Sequence, residues 1–181
     1  MSNNHGFNKL CNDYEGCEDC KSFSKFRVSS CPNVPTQEEA VQFIPAYGSI
    51  YNVAGGNPTI DPNVNFDTVG PSSGTTPSTI DDSITVNSQG VYTVTFTIEL
   101  RASSGGISNN IIFRLSINGT PLATKQIEYQ TFVTAANIEV DLVSRTDQLA
   151  LNQGDVIRVA IVSSTGVITY DNAALVVTKV A

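Results

Sequence analysis

Four cysteines are the residues of this chain best suited to chemistry. Cys11, Cys17, Cys20 and Cys31 follow a C-x5-C-x2-C-x10-C pattern. Cys17 and Cys20 have the C-x2-C spacing of zinc ligands, but Cys11 and Cys31 do not form a second such pair. Intrachain disulfides would pin a small tail, and interchain disulfides would join subunits. The spacing leaves all three chemistries open. Every cysteine lies before residue 32 and none follows. That distribution suits cross-linking, because a chain using cysteine as a core residue would carry it in the body too.

The other reactive types are sparse. His5 is the only histidine, set in a polar, Asn-rich N-terminus. A nucleophilic triad needs a buried, oriented imidazole, and a zinc hydrolase usually needs two or three. Two acidic pairs remain. Asp81-Asp82 sits in a polar turn, where capping and turn bonds are the ordinary work of aspartate. Glu139 and Asp141 share one face of a strand, and the expectation is that this face is solvated. Neither pair suggests the two-carboxylate device of a glycosidase. No phosphate-binding loop and no EF-hand loop occurs. The sequence therefore predicts no enzyme and no cofactor, and no metal site beyond the zinc alternative left open at the cysteines.

Charge narrows the partners. The net charge is −7. Lys9, Lys21, Lys25 and Arg27 cancel Asp13, Glu15, Glu18 and Asp19, so the whole −7 belongs to residues 36–181. An acidic body is unsuited to nucleic-acid phosphates. No apolar run reaches the ~18 residues of a membrane-spanning helix. The first residues, MSNNHGFNKLCNDYEG, lack the apolar core of a secretory signal, and none is expected.

The elements that must carry these residues divide near residue 32. Residues 1–35 read as a connector or anchor tail and 36–45 as a linker, with one helical turn expected over 36–44 before Pro45 stops it. Residues 46–181 read as one β head. Residues 46–54 are aromatic and β-branched. Residues 57–83 are turn-rich, with an extended piece expected only at 64–66. A short strand is expected over 83–87. In 90–101, Tyr92, Val94, Phe96, Ile98 and Leu100 alternate with Thr93, Thr95, Thr97 and Glu99, the period of a half-buried strand. Ile111, Phe113, Leu115 and Ile117 repeat it. Asn118-Gly119 signals a type I′ hairpin, with a return strand over 124–132. Ile138, Val140 and Leu142 alternate with Glu139 and Asp141. Residues 156–164 are a near-continuous apolar strand, 166–170 a small edge piece, and 174–180 a final strand set inside a sheet. Eight to ten short strands predict an all-β, antiparallel jelly-roll sandwich. Tyr47, Tyr51, Tyr92, Phe96 and Phe113 suit either a trimer axis or ordinary core.

The order GVYTVTFTIEL, INGT, IEVDLV, LNQGDVIRVAIV and ALVVTKV, with Gly90-x-Tyr92-x-Val94 and Leu151-x-x-Gly154-Asp155-x-Ile157 as its marks, resembles the complement/TNF-like C-terminal heads of BclA-type spore-surface proteins. The likeness covers about residues 46–181. It implies a compact homotrimer, a spore-surface (exosporium) location reached by mother-cell lysis, and no enzymatic activity. The chain departs from that pattern in lacking a Gly-X-Y stalk and in carrying the Cys-rich tail, which fits a pilus-like endospore appendage subunit. In the tail, Phe23, Phe26 and Val28 interleave with Ser, Lys and Arg, so SFSKFRVSS could add as a docking strand to another subunit or fold back on its own head. The rival reading is an adhesive, ligand- or glycan-recognising head that the tail merely anchors.

Overall fold

The computed structural model describes residues 43–58, 62–103, 107–134 and 137–181. The expectations placed on Cys11, Cys17, Cys20, Cys31, Phe23, Phe26 and Val28, and on most of the turn over 36–44, lie outside these residues.

Ten strands form two five-stranded antiparallel sheets. They are β1 (Tyr47–Asn52), β2 (Thr68–Val69), β3 (Thr75–Ser78), β4 (Ser83–Val86), β5 (Gly90–Ser103), β6 (Ile107–Ile117), β7 (Thr120–Val133), β8 (Ile138–Leu151), β9 (Val156–Thr165) and β10 (Ile168–Lys179). The first sheet has the order β2-β1-β10-β5-β8 and the second β3-β4-β9-β6-β7. This is the antiparallel jelly-roll sandwich that the strand spacing predicts.

Period two builds the core. On β5, Tyr92, Val94, Phe96, Ile98 and Leu100 are buried while the threonines between them stay half-exposed. On β6, Ile111, Phe113 and Leu115 face them. Phe96 and Phe113 meet tilted, with ring centroids 5.6 Å apart and planes at 59°, the off-parallel contact that the ring quadrupoles favour. Tyr92, Phe96 and Phe113 are therefore core. Tyr47 and Tyr51 instead lie on the outer side of the first sheet, Tyr47 exposed and Tyr51 half-buried.

The β6–β7 hairpin turns through Asn118 and Gly119 at φ 51° and 80°, the left-handed pair that a type I′ turn requires. Asn118 adds side-chain bonds, donating to Asp155 Oδ1 at 2.8 Å and accepting from Val156 N at 2.9 Å. The hairpin is thus tied to the start of β9.

Three segments differ from expectation. Residues 64–66 are not a strand, yet Val64 and Phe66 are buried: Val64 N bonds Val159 O at 2.9 Å, and Phe66 N bonds Asp82 Oδ1 at 2.7 Å. Two further strands, β2 and β3, arise in this turn-rich stretch, and β3 holds Pro77. A proline is tolerated there because β3 is an edge. Residues 168–179 are one central strand between β1 and β5, not an edge piece followed by a final strand. A bulge between Asp171 and Ala174, with Asn172 at φ 46°, breaks the period and hides the continuity.

Both chain ends of the head lie at one pole. Tyr47 pairs with Thr178, Lys179 N bonds Ala46 O at 2.7 Å, and Val91 N bonds Ala181 O at 2.7 Å.

Candidate assembly face

β8 carries the main correction. Its alternation is real, but its faces are reversed from expectation. Ile138, Val140 and Leu142 point outward and are 65%, 49% and 69% exposed. Glu139 and Asp141 lie on the opposite face, toward β7, where Glu139 stays exposed as expected and Asp141 is half-buried. Tyr129 donates to Asp141 Oδ2 at 2.7 Å, and the Thr131 hydroxyl donates to Glu139. Register is one determinant. Farther along β8, Val143 and Leu149 are packed against the core and Leu151 is buried. Since β8 pairs with β5 without a break from Ser103↔Ile138 to Gly90↔Leu151, the odd positions share the side of the strand that holds Val143, Leu149 and Leu151.

β7 and β8 are the outermost strands of the two sheets on the same side of the sandwich. Side chains close the gap between them. Lys125 Nζ reaches Asp147 Oδ1 at 2.9 Å. Arg145 donates to the β7 carbonyls of Gln126 and Thr124 at 2.8 and 3.0 Å and to Asp147 Oδ1 at 3.0 Å. With Tyr129–Asp141 and Thr131–Glu139, these contacts form a polar seam along both strands. The Arg145 hydrogen bond, reinforced by Lys125, holds the Asp147 carboxyl below the usual aspartate range. Burial, then the bond to Asp141, pushes the Tyr129 phenol well above its ordinary value, so it remains a donor.

The outer side of the first sheet is an ordered, uncharged surface. The pairings place Tyr51, Ala174, Thr97 and Ser144 in one row, Ser49, Val176, Thr95 and Thr146 in the next, and Tyr47, Thr178, Thr93 and Gln148 in a third. No charged side chain stands in these rows. The hydroxyls bond each other: Thr95 Oγ1 to Thr146 Oγ1 at 2.9 Å, and Thr97 Oγ1 to Ser144 Oγ at 2.8 Å. Hydroxyls already paired within the chain can be covered with little desolvation cost. Charge appears only beside the apolar trio, where Arg101 bridges Glu99 at 3.5 Å and Asp171 at 2.5 Å.

The remaining expected residues sit in structural roles. Ser78 Oγ donates to Asp81 Oδ2 at 3.1 Å and accepts from Asp81 N at 3.2 Å, the turn bonding expected of that pair. Asp82 takes Phe66 N, and Arg158 Nε donates to Asp81 O at 2.9 Å. These groups border a groove whose lining includes Pro62, Ile80 and Val162. Sequence reasoning missed the neutral rows because the cross-strand register is invisible in one strand. The repeated threonines of TVTFT were the available signal.

No family model matches the chain, and no curated protein matches it. Among solved structures, the globular domain of zebrafish complement 1qA protein is similar, with 13% identity over 74% of this chain and 94% of that chain and a TM-score of 0.49.

Proposed function

We propose that this chain is a structural subunit of a bacterial spore-surface fibre, in the exosporium or an endospore appendage. Its heads associate as a homotrimer through the outer side of the first sheet, and its tail joins heads into a fibre. The observation that carries the reading is the uncharged surface of self-satisfied hydroxyls with Ile138, Val140 and Leu142 exposed beside it. Large exposed apolar side chains grouped on one face mark association surfaces. The ordered motifs that resemble BclA-type heads support the spore-surface location and the trimer. The cysteine distribution supports the tail's part: Phe23, Phe26 and Val28 dock as a strand, and Cys11, Cys17, Cys20 and Cys31 supply cross-links that resist heat. On this reading the protein is not an enzyme.

Negative-stain electron microscopy of the full chain, with and without reductant, beside a 36–181 truncation, tests the reading. Filaments from the full chain and discrete small oligomers from the truncation are expected. Identical discrete particles in all samples would overturn the fibre role. The groove beside Asp81, Asp82 and Arg158 favours a second reading, a recognition head. Saturable binding of a glycan on an array, lost on Arg158→Ala, would support that one instead.

A further inference from the structure

The outward trio on β8 is held against its own hydrophobic preference. The segment Ile138 to Leu142 would gain by turning its three apolar side chains toward the core and its two carboxylates toward water. Instead the trio faces outward, Asp141 is half-buried on the other side, and Glu139 stays exposed on that side at the strand end. Two forces oppose the turn. One is the register fixed lower on the strand by Val143, Leu149 and Leu151. The other is local: the two carboxylates on the β7 side each have a hydroxyl donor there, Tyr129 for the half-buried Asp141 and Thr131 for the exposed Glu139. Tyr129 is itself buried, and Val133 beside it is buried too, so β7 offers these donors from a fixed position. The last pairs of the β5–β8 ladder, Ser103↔Ile138 to Leu100↔Asp141, lie at the strand end, where register alone restrains least.

We infer that Tyr129 and Thr131 are positioning residues for the assembly face: their bonds to Asp141 and Glu139 keep Ile138, Val140 and Leu142 outward. The inference rests on the assembly reading for its consequence, but not for its mechanism. The seam sets which side of β8 is presented, although neither hydroxyl lies on the outer surface.

The test uses the full chain under reducing conditions and compares wild type, Tyr129→Phe/Thr131→Val, and the same pair with Glu139→Val/Asp141→Val added. Amide hydrogen exchange reads the strand end, and sedimentation reads self-association. Losing two hydrogen bonds to charged acceptors should speed exchange at 138–142 by about tenfold or more and weaken association by a similar factor, leaving 146–150 unchanged. The four-residue variant replaces both sides of each bond with apolar groups and should restore both readouts, which a merely structural loss at Tyr129 would not allow. Unchanged exchange at 138–142 in the double variant, or failure of the four-residue variant to restore it, would overturn the inference. Faster exchange with undiminished association would leave the positioning role standing and would instead remove this surface from the assembly reading.

Discussion

Replacing Val140 and Leu142 with a charged pair should dissolve the proposed assembly while leaving the head intact. The pair Val140→Glu/Leu142→Lys follows from the register. Val140 lies opposite Arg101 and Leu142 opposite Glu99, so each new charge meets its opposite across the strands. Such cross-strand pairs add about 0.2–1 kcal/mol each in an exposed position. The double change keeps the net charge at −7, so weakened association cannot be assigned to added repulsion. Fully covering a Val or Leu side chain contributes about 1.5–3 kcal/mol. With 49% and 69% of the two residues still exposed, covering them in an assembly is worth about 2–3.5 kcal/mol per copy. That corresponds to about 30- to 300-fold in each association step. Desolvating the new charges adds to the loss. Sedimentation velocity of the 36–181 head across a concentration series reads association, and thermal unfolding reads the fold. The expected result is a monomeric double variant whose midpoint stays within about 2 °C of wild type. Association as tight as wild type would refute the reasoning, since the register leaves these two side chains nowhere else to be covered.

Other outcomes follow from the core, the seam and the loops. Phe96→Ala removes a ring packed on Phe113 and should cost about 3–5 kcal/mol in denaturant unfolding of the head. Gly56→Ala should cost about 1–3 kcal/mol by the same assay, because its Cβ would stand 2.2 Å from the Tyr170 ring, whose hydroxyl holds Asn65 N at 3.0 Å. Asp147 and Asp67 both have folded-state values below the ordinary one, Asp147 through Arg145 and Asp67 through the Thr68 hydroxyl and the Val53 N–H. Their stabilisation is present above the unfolded aspartate value near ~3.9 and is lost as pH falls through the folded values. A pH series of melting midpoints should therefore drop below about pH 4, and less steeply in Asp147→Asn. The Tyr129 phenol is shifted upward, so its contribution is full below about pH 10 and declines above it, a limb that Tyr129→Phe should remove.

Where the sequence was legible, one strand was enough to read it. β5 shows both faces in ten consecutive residues, and Asn118-Gly119 states its turn type through the two residues that tolerate positive φ. The failures needed a second strand. On β8 the period was clear, but alternation alone does not say which side faces in. That was decided by Leu149 and Leu151 at the far end and by hydroxyls on β7, 8–12 residues away in sequence. β10 was divided because the bulge at Asp171–Ala174 shifts the period halfway along. β3 has no apolar pattern, since an edge strand of TTPS packs through one buried threonine. The candidate assembly face was the least legible feature: Thr, Ser and Ala look like ordinary surface until the pairing aligns them in rows.

Those uncharged rows also fix how the protein should respond to salt. Apart from Glu99 and Asp171, which Arg101 bridges beside the apolar trio, the acidic groups that give the head its charge stand outside this face, so copies repel one another mainly through regions that the proposed contact does not bury. Ions shorten the reach of that repulsion to about 8 Å at physiological strength and leave a neutral contact untouched. Adding salt should therefore tighten the proposed association.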